Sequence, residues 1–253
     1  MIAVGMACLG FLLGLVGAGG AGLMITLLAV GYDVPIHTAL GVALSSMAFG
    51  MLSGTISHFR EGDVNVHLGC VVGCAGIIGA FMGSRVASAL PTRELTNVTA
   101  TLMFMSTIIL YFQLFHKEKV QGFVKRHAAT TVGTKFYAVG IAMGIFTGFL
   151  SGAFGIGATA FIQIGLMLFF GVELYIAVGT TMMIILPISI SGGLGYLISG
   201  HLDLNVFIQS FAGLTTGTYI GAKFTRLIPP NSLRYIMVSM PISGAIMLIL
   251  KSN

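Results

Sequence analysis

The sequence predicts an all-α polytopic membrane protein made of two pseudo-symmetric, inverted repeats. Each repeat is a glycine-interrupted first helix or re-entrant hairpin plus three transmembrane helices. Three observations predict this: a composition too apolar for water, apolar runs of spanning length, and an internal repeat. Of 253 residues, 56% are hydrophobic and 8% charged, with a mean hydropathy of +1.01. Soluble domains carry about 25% charge. Twelve Lys and Arg with seven Asp and Glu cannot cover a chain of this size in water. In lipid every backbone N–H and C=O must be paired within the structure, so spans are helices or a closed barrel. The unbroken apolar runs exclude the alternating pattern of a barrel.

The apolar runs fall at 2–30, 36–58, 66–90, 95–115, 136–170, 174–199, 204–226 and 233–250. A span needs about 20 apolar residues, so most runs are single helices. Run 2–30 is long for one helix and short for two, and it is interrupted by "GAGGAG" at 17–22. A re-entrant hairpin of two half-helices fits these lengths. Non-helical backbone at that depth must be buried in protein or line a cavity. The alternative is one tilted helix whose small residues allow close packing. No basic residue precedes Arg60, so no cleavable leader is expected and the first segment stays in the mature chain.

The second half repeats the first. A shift of 138 aligns Ala39 with Ala177, Gly41 with Gly179, Gly54 with Gly192, Gly79 with Gly217, Gly83 with Gly221, and Pro91 with Pro229. Arg85 meets Lys223 under the same shift. At the glycine stretch a shift of 135 aligns Gly17, Gly20 and Gly22 with Gly152, Gly155 and Gly157. The expected organisation is a first repeat at 1–115, a cytoplasmic linker at 116–135 and a second repeat at 136–253. Gly17-x-Gly19-x-x-Gly22 has the letters of a dinucleotide turn. Its flanks are too long and apolar for strands, and Gly19 becomes Phe154 in the repeat, so the repeat preserves a helix interruption.

Positive charge weighs the topology. Eight plain spans divide the Lys and Arg residues seven against five. With hairpins each half crosses three times. One side then takes Arg60, the linker residues Lys117, Lys119, Lys125, Arg126 and Lys135, and Lys223, Arg226 and Arg234; the other takes Arg85, Arg93 and Lys251. The second asymmetry is stronger. It puts the linker in the cytoplasm and both termini outside.

Inverted repeats with interrupted helices are a plan of secondary transporters, which bind substrate near the midplane. Half-helix N-termini suit anions, and glycine lets a ligand reach the backbone. The candidate substrate-binding residues are therefore Gly17, Gly19, Gly20 and Gly22 with Gly152, Gly155 and Gly157. Ser45, Ser46, Thr180 and Thr181 join them as hydroxyl donors, and Gln163 as a buried amide. The hydroxyls can equally bond their own helix carbonyls. Arg85 and Lys223 are candidate anion-attracting charges, or they snorkel to headgroups. His58 and Glu61 are candidates for taking up a coupling proton, or are interfacial loop residues. The cysteines, Cys8, Cys70 and Cys74, read as packing residues. No metal, cofactor or nucleic acid is expected. The expected partners are a small anion and the bilayer, and a homodimer stays open. An intramembrane hydrolase using Ser53 or Ser151 lacks a placed His and Asp. A passive anion channel or a membrane scaffold remains as an alternative.

The glycine stretches, the "AxGT" of Ala177 to Thr180 and the "GxxxGxK/R" of Gly79–Arg85 and Gly217–Lys223, in this order and duplicated, resemble the TauE/SafE sulfite exporter family of TSUP-type transporters. The resemblance covers nearly the whole chain. It implies a carrier of the bacterial or archaeal cytoplasmic (inner) membrane that exports sulfite, sulfoacetate or related organosulfur anions, not an enzyme. Thr26 and Gln163 stand near places where the family often carries proline, and Val42 stands opposite Thr180.

Overall fold

Proline and short polar side chains set the helix starts. Pro35 and Pro91, both extended, precede α3 (Ile36–Glu61) and α5 (Thr92–Phe115). Proline fixes φ and gives up an N–H that the first turn leaves unpaired anyway. The Asn65 side chain caps α4 (Val66–Ala89) by accepting from the Leu68 N–H at 3.1 Å. Asp203 does the same for α9 (Leu204–Phe224), accepting from Asn205 and Val206. The remaining helices are α1 (Ile2–Val16), α2 (Ala21–Thr26, running into a π turn at Leu27–Gly31), α6 (Thr134–Phe154), α7 (Thr159–Phe170), α8 (Leu174–Ile198) and α10 (Pro230–Ser252). This computed structural model describes residues 1–16, 21–116, 122, 133–156, 158–224 and 230–252.

Among the described residues each half thus has five helices in the same order, the second of them the shortest. The short helix returns alongside the helix before it. The Tyr32 hydroxyl, just past the π turn, donates to the Met1 carbonyl at 3.1 Å. In the second half the rings of Phe136 and Phe170 lie 5.2 Å apart, and Gly165 of α7 packs on Met143 of α6. Helices α3, α4, α5, α6 and α8 are long and apolar enough to cross a membrane. The outer surface carries bare apolar side chains, among them Ile78, Phe146, Ile198 and Ile208. Such a surface is unfavourable in water and natural in lipid.

The halves interlock. Helix α4 packs on α6, and α9 packs on α1. Gly79 of α4 lies so close to α6 that an added Cβ would sit 2.8 Å from the Phe149 nitrogen. Gly217 of α9 faces the Phe11 nitrogen of α1 at the same 2.8 Å. Both residues of the second contact differ from those of the first by 138. The central helices α3 and α8 also cross reciprocally. A Cβ on Gly41 would meet Tyr196 and the His201 carbonyl; one on Gly179 would meet His58 and the Asp63 carbonyl. Each of these pairs is again related by 138, as for a two-fold arrangement of the halves.

Contacts also sort the charges between the two ends of the bundle. Tyr137 and Phe136 at the start of α6 lie against His67 at the start of α4. Arg60 and Lys135 therefore share one end. At the other end Arg85 reaches Ser199 at 3.2 Å, His37 reaches the Leu90 carbonyl at 3.1 Å beside Arg93, and Lys251 pairs with Asp33. Met1, near Tyr32, lies at that same end.

Candidate functional site

The interruption is visible in the second half. Helix α6 stops at Phe154, Gly155 turns left-handed at φ +66° and donates to the Ser151 carbonyl, and Ala158 is left-handed at φ +46° before α7 begins. No side chain caps α7. Gly155 is required twice over. Its backbone suits glycine, and an added Cβ would lie 2.6 Å from Leu40 Cδ2 and 3.0 Å from Ile25 Cδ1. Gly155→Ala should therefore cost about 1–2 kcal/mol in backbone strain plus the clash. A lower unfolding temperature in detergent is the expected reading, and an unchanged one would refute this account. Gly17, Gly19, Gly20 and Gly157 lie outside the described residues.

Three helices converge at the break. A Cβ on Gly192 of α8 would lie 3.0 Å from Leu44 of α3 and 3.5 Å from Gly152 Cα of α6. Within one turn of these contacts stand Ser46, Ser151 and Ser189, one on each helix. All three hydroxyls are buried without a hydrogen-bond partner, as is Thr99 on α5. A buried unpaired hydroxyl costs about 1–3 kcal/mol, which a bound acceptor would offset. Gln163, on the second turn of α7, is 9% exposed and makes no hydrogen bond to the described residues. The site's polar groups here are uncharged donors beside an uncapped helix start. Hydroxyl and amide donors beside a helix start can serve an anion.

Other predicted residues are placed elsewhere. Thr180 stands about 18 Å along α8 from Gly192, at a rise of about 1.5 Å per residue. It is fully buried and accepts the Asn65 N–H at 2.9 Å. Thr181 donates to the Ala177 carbonyl at 2.6 Å and is satisfied within its helix. Ser45 lies against Gly193, and Gly152 packs face to face on Ala80. Gly22 packs on Met103, and its carbonyl accepts from Thr26. Arg85 is at the bundle end, over the Phe81 ring; the Lys223 side chain lies outside the described residues. His58 Nδ1 is 4.0 Å from Glu61, beside the turn whose Asn65 binds Thr180. The cluster of His58, Glu61 and Asp63 thus touches the start of α8, not its middle.

Sequence reasoning missed Ser189 and the role of Tyr196, whose hydroxyl donates to the Ala153 carbonyl at 3.1 Å and ties α8 to the end of α6. Ser151 was legible only as part of a hydrolase pattern. Among the described residues no histidine or carboxylate bonds it. His201, in the loop between α8 and α9, stacks on His37 at 4.9 Å. Burial, and then the neighbouring His37, lower its pKa below the ordinary histidine value of 6.5. The unfolded chain therefore binds the proton more readily, and stability falls as pH drops through 6.5. The wild-type unfolding temperature should decrease between pH 7 and pH 5, and His201→Gln should flatten that slope.

The bundle and its interrupted helix define the class: a polytopic helical membrane protein with the plan of a transporter. The family model "Sulfite exporter TauE/SafE" matches residues 1–248, and the chain belongs to that family. It is 40% identical to "Probable membrane transporter protein YdhB" of Bacillus subtilis (strain 168) over 250 residues, 98% of this chain and 99% of the relative. Two further relatives from the same organism are YunE, 27% identical over 81% of this chain and 78% of its own, and YjnA, 25% identical over 95% of each. Both also carry the name "Probable membrane transporter protein". No solved structure matches the chain. The chain is thus a membrane transporter.

Proposed function

We propose that this transporter exports a small sulfur-containing anion, such as sulfite, sulfoacetate or another organosulfonate, by alternating access. The observation that carries the reading is the convergence of α3, α6 and α8 at the helix break, with one buried, unpaired serine hydroxyl on each helix within a turn of the contact: Ser46, Ser151 and Ser189. Hydroxyl donors and the start of α7 would hold the oxyanion, with Gln163 adding an amide. The reciprocal crossing of α3 and α8 supports two alternative access states, because contacts at one end have counterparts at the other. Thr180 and the His58–Glu61 pair would then act at one gate. A proton taken up by His58 or Glu61 is one coupling route. The membrane potential is another, worth about 2.3 kcal/mol per charge at 100 mV.

Purified protein in liposomes on a solid-supported membrane tests the reading. The panel is sulfite, sulfoacetate, taurine, thiosulfate, chloride and sodium, each with and without a pH gradient. Saturable charge movement for sulfur anions alone is the expected result, and silence for every anion would overturn it. The proposed topology places both termini outside the cytoplasmic membrane. In a background lacking Cys8, Cys70 and Cys74, single cysteines at Ile2 and Ser252 should react with an impermeant reagent on intact cells, while one at Arg60 should not. Shielded termini would refute the inverted arrangement.

A further inference from the structure

We propose that the bundle end carrying Met1 and Lys251 holds a second binding pocket, for a small tetrahedral oxyanion group. Arg93 is its anchor, and Asp33 competes with the ligand for Lys251. A cavity of about 470 Å³ lies between the end of α2, α5 and α10, with Asp33, Thr92, Arg93, Thr96 and Lys251 among its walls. Lys251 Nζ is 2.5 Å from Asp33 Oδ1 and also donates to the Ala29 carbonyl. Arg93 makes no ion pair or hydrogen bond to the described residues, so its five donors are uncommitted. Thr92 and Arg93 open α5, whose first turn has no side-chain cap. The positive end of that helix adds to the two cations. Among the lining residues one carboxylate stands against two cations; Glu94, in the same first turn of α5, is not part of the wall.

Asp33 itself is the second observation. Its backbone is left-handed at φ +53°, and Gly171, its counterpart 138 residues on, is left-handed at φ +63°. The second half meets this conformation with the residue that suits it. Aspartate enters this region more readily than most side chains, and here its carboxylate also reaches Lys251. Held on Lys251, that carboxylate occupies the charge a bound oxyanion would need. An oxyanion bridging Arg93 and Lys251 displaces it. The group recognised is a sulfur or phosphorus oxyanion, either free in solution or as the headgroup phosphate of an anionic lipid. The pocket shares no residue with the convergence around Ser46, Ser151 and Ser189, so it stands whether or not that site carries substrate.

The test uses the full chain purified in detergent. Isothermal titration with sodium sulfate, at constant ionic strength against chloride, reads the free ion. Native mass spectrometry after addition of phosphatidylglycerol reads the lipid. Sulfate binding weakened at least tenfold by Arg93→Gln, retained by Gly50→Ala, where an added Cβ meets nothing, and tightened several-fold by Asp33→Gly would establish a free-oxyanion pocket. Phosphatidylglycerol retained by the wild type, lost in Arg93→Gln and enriched in Asp33→Gly would establish a lipid pocket. Asp33→Gly suits the left-handed backbone, so folding should be kept, and Arg93→Lys should preserve part of the binding. Binding of both probes that ignores Arg93, no binding of either, or no gain in Asp33→Gly would overturn the proposal.

Discussion

Replacing Gly148 with leucine should abolish the folded protein. Gly144, Gly148 and Gly152 form one stripe on α6, and Gly76, Gly79, Ala80 and Gly83 form the facing stripe on α4. A Cβ at Gly148 would lie 2.8 Å from Gly76 Cα, and one at Gly152 would lie 2.7 Å from Ala80 Cα. The neighbours are main chain, so no rotamer change makes room. In lipid, helices associate through such close packing because tails are as apolar as leucine. Overpacking against side chains costs about 1–3 kcal/mol; here two whole helices must part, which costs more. The expected result is aggregated protein in detergent-phase size-exclusion chromatography. Gly50→Ala is the control. Nothing lies within 4 Å of a Cβ there, and alanine is the better helix former by about 1 kcal/mol. A monodisperse Gly148→Leu protein would refute the packing account.

Ser46→Ala should slow transport at least tenfold while leaving the unfolding temperature unchanged or raised. Ser46 is 1% exposed and its hydroxyl has no partner. Removing an unpaired buried hydroxyl relieves a cost to the fold. A hydrogen bond to a charged group contributes about 1.5–3 kcal/mol, and its loss from the bound anion corresponds to tenfold or more. Thr181→Val is the contrast, since the Thr181 hydroxyl is engaged by the Ala177 carbonyl and should matter little to flux. Equal transport losses in Ser46→Ala and Thr181→Val would show that the unpaired hydroxyls do not mark the site. A stability loss in Ser46→Ala would show a structural role for Ser46.

Much of the helical architecture is legible in the sequence. Length of apolar runs is a local property, and the helices begin where Pro35, Asn65, Pro91 and Asp203 stand. The interruption at Gly155 was legible because the repeat preserves it. The glycines of "GxxxGxK/R" were legible as a motif, but their work was not. Gly79, Gly83 and Gly152 bring backbones together between halves, and a pattern within one helix does not name the helix it meets. Arg85 read either as an anion-attracting charge or as one that snorkels to headgroups; α4 carries it to the bundle end and Ser199.

By itself, the sequence determined the environment, the helical class and the family resemblance. These follow from composition and from spacing along one chain. The tertiary structure alone decided which hydroxyls are free. Thr180 and Asn65 are 115 residues apart in sequence and 2.9 Å apart in space, so Thr180 carries a partner that no periodicity reveals. Ser46, Ser151 and Ser189 belong to three different helices, each within one turn of the place where Gly152 and Gly192 let those helices converge. Whether a polar group in lipid is paired depends on its neighbours in three dimensions, and that decides where an anion can be held.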